Sequence, residues 1–256
     1  MEGGRANMAN LVIVNSELHR KLRIVTRASV EIGDNIGLVS VIPREYPRLL
    51  AHYPIFFRKS AQTGQFEPAA LLGFTNTENL FLAGDRWDAG YVPLQIQRQP
   101  FSVIPNHVSD SGAERSRFEV ALDTDSPRVR TDEGEVLFSE DGRPSKYLQK
   151  ITAILSEFVA GASEAFAFTA KLAGYNLIEP YRIEVEFVDG SQGKLQGLYS
   201  ISGENLQALP AAQLAELRDL GFLEWTYYQL ASLAHLSGLV ARKNRLLIGM
   251  TASTLK

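Results

Sequence analysis

The sequence contains no cysteine. That absence removes disulfides, thiolate metal sites and cysteine nucleophiles in one step. Histidine is scarce: His19, His52, His107 and His235 are the four, and none stands in an H-x-D or H-E-x-x-H arrangement. The nearest pattern, His107-Val-Ser-Asp110, lies in a polar stretch, so no native metal site is expected. There is also no G-x-G-x-x-G, no Walker loop and no G-x-S-x-G elbow. "GDNIG" (33–37) and "SGENLQAL" (202–209) hold glycines, but neither follows a strand and opens a helix in the way a phosphate cradle requires, although the second reads as a helix entry with Ser202 or Asn205 near the cap. No dinucleotide, ATP or other cofactor is expected. The formal net charge of −3 carries no excess of positive charge for nucleic acid or a membrane surface.

Long apolar runs are missing as well. At the N-terminus the only one is Leu11 to Val14, short of the ~7–15 residues of a secretory core. The expectation is therefore a cytoplasmic protein, with surface association by a non-standard export route as the alternative, and Met8 is an alternative start to Met1. Residues 221–241, "GFLEWTYYQLASLAHLSGLVA", have the length of a span, but Glu224, Gln229 and His235 interrupt them. They read as a buried core helix, with His235 hydrogen-bonded in the core and no membrane span.

What is present is an ordinary globular composition, 45% hydrophobic and 21% charged over 256 residues, enough for a substantial core. Residues 9–140 read as short strands and turns. "IFFRKSAQTGQFEPAALLGF" (55–74) is a hairpin turning at Gln62-Thr63-Gly64-Gln65. Leu94, Ile96 and Arg98 alternate with Gln95, Gln97 and Gln99 and extend the β pattern, and the polar 106–117 reads as a surface loop. Residues 145–250 read as helical with a return hairpin. From the Ser145 cap, Leu148, Ile151, Leu155, Phe158, Ala162 and Phe166 form one stripe ending at Gly174, with Gly161 as a bend. Ile183, Val185 and Phe187 alternate with Glu184 and Glu186 in a hairpin turning near Asp189-Gly190. A helix then runs from Pro210 to Gly221, and a final one from Phe222 to Leu247, closing on Arg242, Lys243 and Arg245. The fold class is α+β, with a mixed or antiparallel sheet. One domain over 1–256 is expected, because the hairpin at 181–201 needs partners in the earlier sheet.

Carboxylates cluster at Asp123/Asp125, Asp132/Glu133/Glu135 and Glu140/Asp141. These sit in turn sequences such as "DTDSP", where Asp and Ser bond the local backbone, so they read as turns rather than as an acid/base pair. The densest aromatic stretch is "NLFLAGDRWDAGYVPLQIQRQPF", 79–101. Packing is the first reading of it, with Arg98 paired to Asp85 or Asp88. Its ligand-binding reading is an aromatic pocket with guanidinium groups, Arg86, Trp87, Tyr91 and Arg98, suited to a small aromatic or anionic ligand.

Several stretches in order along the chain, "YPIFFRK", "AALLGF…ENLFL", "WDAGYVP", "RQPF", "GEVLFSEDGRPS", "DGSQGKLQGLYSISGENLQAL" and "LRDLGFLEW", resemble the SapC family of bacterial proteins. The resemblance covers nearly the whole chain. It implies an association with a bacterial surface layer, from which the family takes its name. It also implies a gene context of halogenase-like flavin enzymes, cupin-like proteins and TonB-dependent receptors. It carries over no catalytic residues. The reading is a non-catalytic accessory or binding protein with a protein partner, acting with a halogenase-like enzyme or an uptake system. The alternatives are a surface-layer component and an enzyme of unrecognised type acting on an aromatic or peptide substrate.

Overall fold

Short apolar runs bounded by turn formers make the strands of the largest sheet's core, and one 29-residue helix packs against them. A computed structural model describes residues 10–110 and 113–254. The strands of the first half are β1 (Leu11–Ile13), β2 (Arg23–Ile24), β3 (Leu38–Ser40), β4 (Ile55–Lys59), β5 (Phe66–Leu71), β6 (Leu82–Ala83), β7 (Arg86–Trp87), β8 (Phe101–Asp110), β9 (Ala113–Asp123), β10 (Val129–Arg130) and β11 (Glu135–Val136). Two short helices interrupt them, α1 (Tyr46–Leu49) and α2 (Leu94–Gln97). Then come α3 (Lys146–Gly174), the hairpin β12 (Ile178–Glu186) and β13 (Gln192–Ile201), and the helices α4 (Gly203–Gln207), α5 (Ala211–Asp219), α6 (Phe222–Ser232) and α7 (His235–Thr254). The fold is α+β, and its strand pairs are antiparallel.

The largest sheet has the order β12-β13-β4-β5-β3. The late hairpin joins the early one through Tyr199 opposite Phe57 and Leu198 opposite Arg58. Smaller sheets are β1-β9-β8, β10-β2-β11 and the pair β6-β7. Two hydrophobic clusters result. The larger gathers Tyr46, Tyr53, Phe56, Phe57, Phe168 and Phe222 around the five-stranded sheet; the smaller gathers Ile24, Ile42, Phe101, Leu122, Leu148 and Ile151.

Helix α3 serves both clusters. The Ser145 hydroxyl caps it by accepting from the Leu148 N–H at 3.1 Å, as the sequence predicts. By length and composition α3 would suit a membrane span; a third of its apolar window is buried here. The expected stripe holds through Leu155 and then drifts: Ala162 and Phe166 are exposed, while Gly161, Ala165, Phe168 and Leu172 are buried. Repeated steps of four overrun a 3.6-residue turn, which is why the buried line falls back by one residue. The helix runs undivided through Gly161. A Cβ there would meet Ile42 Cδ1 at 2.4 Å, so the glycine permits close approach. Gly174 is the last helical residue, and the left-handed residue that follows is Asn176, at φ 56°.

Three further expectations are corrected. Residues 94–98 are helical rather than extended: the N–H groups of Gln97 and Arg98 reach back to the carbonyls of Pro93 and Leu94. Proline at 93 sets the entry φ, and a helical turn needs only that local closure. Residues 106–110 and 113–117 continue the β8/β9 ladder, because main-chain pairing needs no apolar side chains; residues 111 and 112 lie outside the described residues. The final helix is two, with a turn at Leu233 and Ala234. Arg242 and Lys243 therefore lie within α7 and form ion pairs with Asp88 (2.7 Å) and Glu78 (2.6 Å). His235 opens α7, half-buried, and its Nε2–H donates to the Leu50 carbonyl at 2.6 Å.

Candidate functional site

A cleft of about 530 Å³ opens where the two clusters meet. The β6–β7 hairpin forms one side. Its two-residue turn, Gly84-Asp85, has Gly84 at φ 68°, a value that favours glycine and places Asp85 and Arg86 in solvent. Trp87 is half-buried, stacked on Phe81 with centroids 6.4 Å apart and planes 10° apart. Its indole N–H donates to the Tyr53 hydroxyl at 2.6 Å, and that hydroxyl donates to the Tyr91 carbonyl. Burial pushes the Tyr53 phenol well above its ordinary value, so it stays a donor throughout the neutral range. Arg242 lies over the Phe81 ring at 4.4 Å and binds Asp88, anchoring the hairpin from α7.

Tyr91 is held from a second direction. Its hydroxyl donates to the Glu45 carboxylate at 2.9 Å. Glu45 is fully buried, and it also accepts from the Leu94 N–H at 2.8 Å and the Ile42 N–H at 3.1 Å. Burial raises the Glu45 carboxyl above its usual range, while these three donors oppose the rise. Arg48 sits 4.7 Å over the Tyr91 ring. One carboxylate thus ties the 3-10 turn Pro43–Glu45 to the start of α2 and sets the cleft wall.

Tyr147, Lys150 and Ile151 of α3 also line the cleft, with Val92, Ile96, Gln97 and Gln99. Asp34 and Arg128 are nearly fully buried and ion-paired at the floor. Of four lining cations, Arg27 pairs with Glu133 at 3.2 Å and Arg128 with Asp34, while Arg86 and Lys150 enter no ion pair among the described residues. Both of these free cations are exposed.

Of the four residues proposed from sequence, the structure brings Arg86, Trp87 and Tyr91 to this cleft. Arg98 is elsewhere. It donates to the Gln95 side chain at 2.8 Å and to the Phe101 carbonyl, and it lies 5.5 Å from the Phe158 ring centroid. Burial lowers its pKa, as it does for a guanidinium working inside the structure. The pairing of Arg98 with Asp85 or Asp88 is not formed, since Asp88 belongs to Arg242. Phe101 is buried in the smaller cluster. Sequence reasoning missed Asp34, Arg128, Tyr147 and Lys150. Arg128 reads as part of a turn, "DSPRV", and its partner lies 94 residues away, so no local pattern marks either. Among the described residues no group of three or more His, Asp or Glu is placed to hold a metal ion.

The chain belongs to the SapC family, whose model matches residues 14–239. No curated protein and no solved structure matches it.

Proposed function

We propose that this SapC-family chain is a non-catalytic accessory protein that binds a small, planar, anionic ligand in the cleft between its two cores. One observation carries the reading: rings held in place by their own hydrogen bonds and stacking line the same cavity as two exposed cations without ion-pair partners. Such preorganised aromatic walls with a few charged groups suit a ring-bearing anion. The non-catalytic assignment draws support from how the acidic groups are used. Glu45 is occupied by three donors and Asp34 by Arg128 and the Ser29 N–H, Asp85 stands exposed at the hairpin turn, and no histidine among the described residues lines the cavity. In the context the family implies, the ligand is one shared with a partner enzyme in the cytoplasm, of the halogenase-like kind.

Native mass spectrometry of the chain purified from its host tests this. A bound aromatic anion is expected, lost on Trp87→Ala and retained several-fold less on Arg86→Ala/Lys150→Ala, with the double variant melting as wild type. Turnover of the recovered molecule by the isolated chain would instead establish an enzyme.

A further inference from the structure

The floor of the cleft carries a guanidinium with more donors than the protein uses. Arg128 is 5% exposed and Asp34 1%. Arg128 Nη1 donates to the Val25 carbonyl at 3.1 Å and the Arg27 carbonyl at 3.4 Å, and Nη2 donates to the Asp34 carboxylate. A guanidinium has five N–H groups. These bonds engage at most three, and Nε–H has no acceptor among the described residues. This donor is not sealed in the interior: the Tyr46 hydroxyl is the buried side-chain polar atom left without a partner among the described residues, so the unbonded Arg128 N–H stays open to whatever fills the space beside it. Arg128 lines the cleft, and it also lines a smaller compartment of about 280 Å³ that shares Asp34, Ile96 and Gln99 with it.

Asp34 holds the guanidinium in orientation. Its second carboxylate oxygen accepts from the Ser29 N–H at 3.0 Å, and its carbonyl accepts from the Asn79 side chain at 2.8 Å. The ion pair offsets part of the desolvation of Arg128 without using up its planar fork. Lining cations (Arg27, Arg86, Arg128, Lys150) outnumber lining acids (Asp34, Asp85), so an added negative charge is favoured there.

We infer that Arg128 is the oxyanion seat of the cleft: the ligand is an aromatic ring bearing a carboxylate or phosphate, with the oxyanion on the Arg128 fork and the ring between Trp87, Tyr91 and Tyr147. Two N–H groups on one plane match two oxygens of such a group. Asp34 is the positioning residue. The inference rests on the cleft being a ligand site, as proposed above.

Calorimetric titration of the full chain with 1-naphthoate, 1-naphthyl phosphate and neutral 1-naphthamide tests it. Both anions are expected to bind at least tenfold more tightly than the amide. That preference should survive Arg86→Ala/Lys150→Ala and 1 M salt, where surface charges are screened within about 3 Å. It should fall tenfold or more in Arg128→Lys, which keeps the charge and loses the fork. The order of the two anions tells carboxylate from phosphate. Disappearance of the preference in the Arg86/Lys150 variant or in high salt would place the anion at the mouth and overturn the seat, whether or not Arg128→Lys folds. Preference retained in a folded Arg128→Lys would overturn it too. If none of the three probes binds, the cleft reading fails and the seat fails with it; binding without Arg128 dependence sinks the seat alone.

Discussion

The two hydrophobic clusters are built differently. The larger is aromatic and stitched by buried polar side chains: Gln229 of α6 donates to the Ile55 carbonyl at 2.8 Å and accepts from the Ile201 N–H at 3.2 Å, and the Ser232 hydroxyl accepts from the Ile55 N–H at 2.9 Å. These bonds fix a helix to the sheet's own main chain, which gives a single register. The smaller is mostly aliphatic, with Ile24, Ile42, Leu94, Leu122, Leu137, Leu148 and Ile151. Trp87, Tyr91 and Ile96 pack on the larger cluster, and Ile151 and Tyr147 on the smaller. The cleft therefore follows the seam, where two cores with different geometry leave space. The buried ions Glu45, Asp34 and Arg128 gather there because an apolar interior would not hold them unpaired.

Truncating each core in turn should have the largest effects. Phe168 is fully buried against Tyr46, Phe57, Phe222 and Trp225, so Phe168→Ala should cost about 4 kcal/mol. Leu148→Ala, in the smaller cluster, should cost about 3 kcal/mol. Because α3 runs through both, urea unfolding followed by Trp fluorescence and by far-UV circular dichroism should shift as one transition in each variant. Two separated transitions would mean that the cores are independent units.

Glu45→Ala comes next. It strips acceptors from Ile42, Leu94 and Tyr91 but also removes a costly buried carboxylate, so the net loss should be about 2–3 kcal/mol. Amide exchange should speed at Leu94 and leave the Gln229 contacts of the larger core unchanged. Uniform acceleration would show that the seam is not separable from that core.

The smallest effect concerns His52, which packs against Tyr53 with ring centroids 5.9 Å apart and whose Nε2 lies 2.8 Å from where a Cβ on Gly90 would stand. Burial first, then the charges of His235 and Arg242, hold it below its ordinary value of 6.5. The unfolded chain takes up the proton that the folded chain resists. Its contribution is therefore present above pH 6.5 and is lost as pH falls from there through the folded value. His52→Gln should flatten the wild-type decline of Tm over that window. An unchanged slope would assign the acid sensitivity to other groups.

Local pattern was enough for much of the frame. Apolar runs about a polar turn in 55–71, alternation around Ile183, Val185 and Phe187, and helical period with a serine cap at 145 mark elements whose sequence signals agree with their packing. The same reasoning failed at 94–98, where glutamines alternating with Leu94 and Ile96 resemble a strand. What decides that segment is Pro93 and the Leu94 N–H bonded to Glu45, which stands 49 residues earlier.

The α+β class, the family, the hairpins at 55–71 and 178–201, the long helix and the aromatic stretch holding Arg86, Trp87 and Tyr91 are legible along the chain, because each is written in neighbouring residues. Folding alone turns Arg98 inward, brings Lys150 and Tyr147 to the same cleft as Trp87, and pairs Arg128 with Asp34. Those pairings join residues far apart in the chain. What selects them is the need to match buried charges and donors, which exists only once the cores have formed.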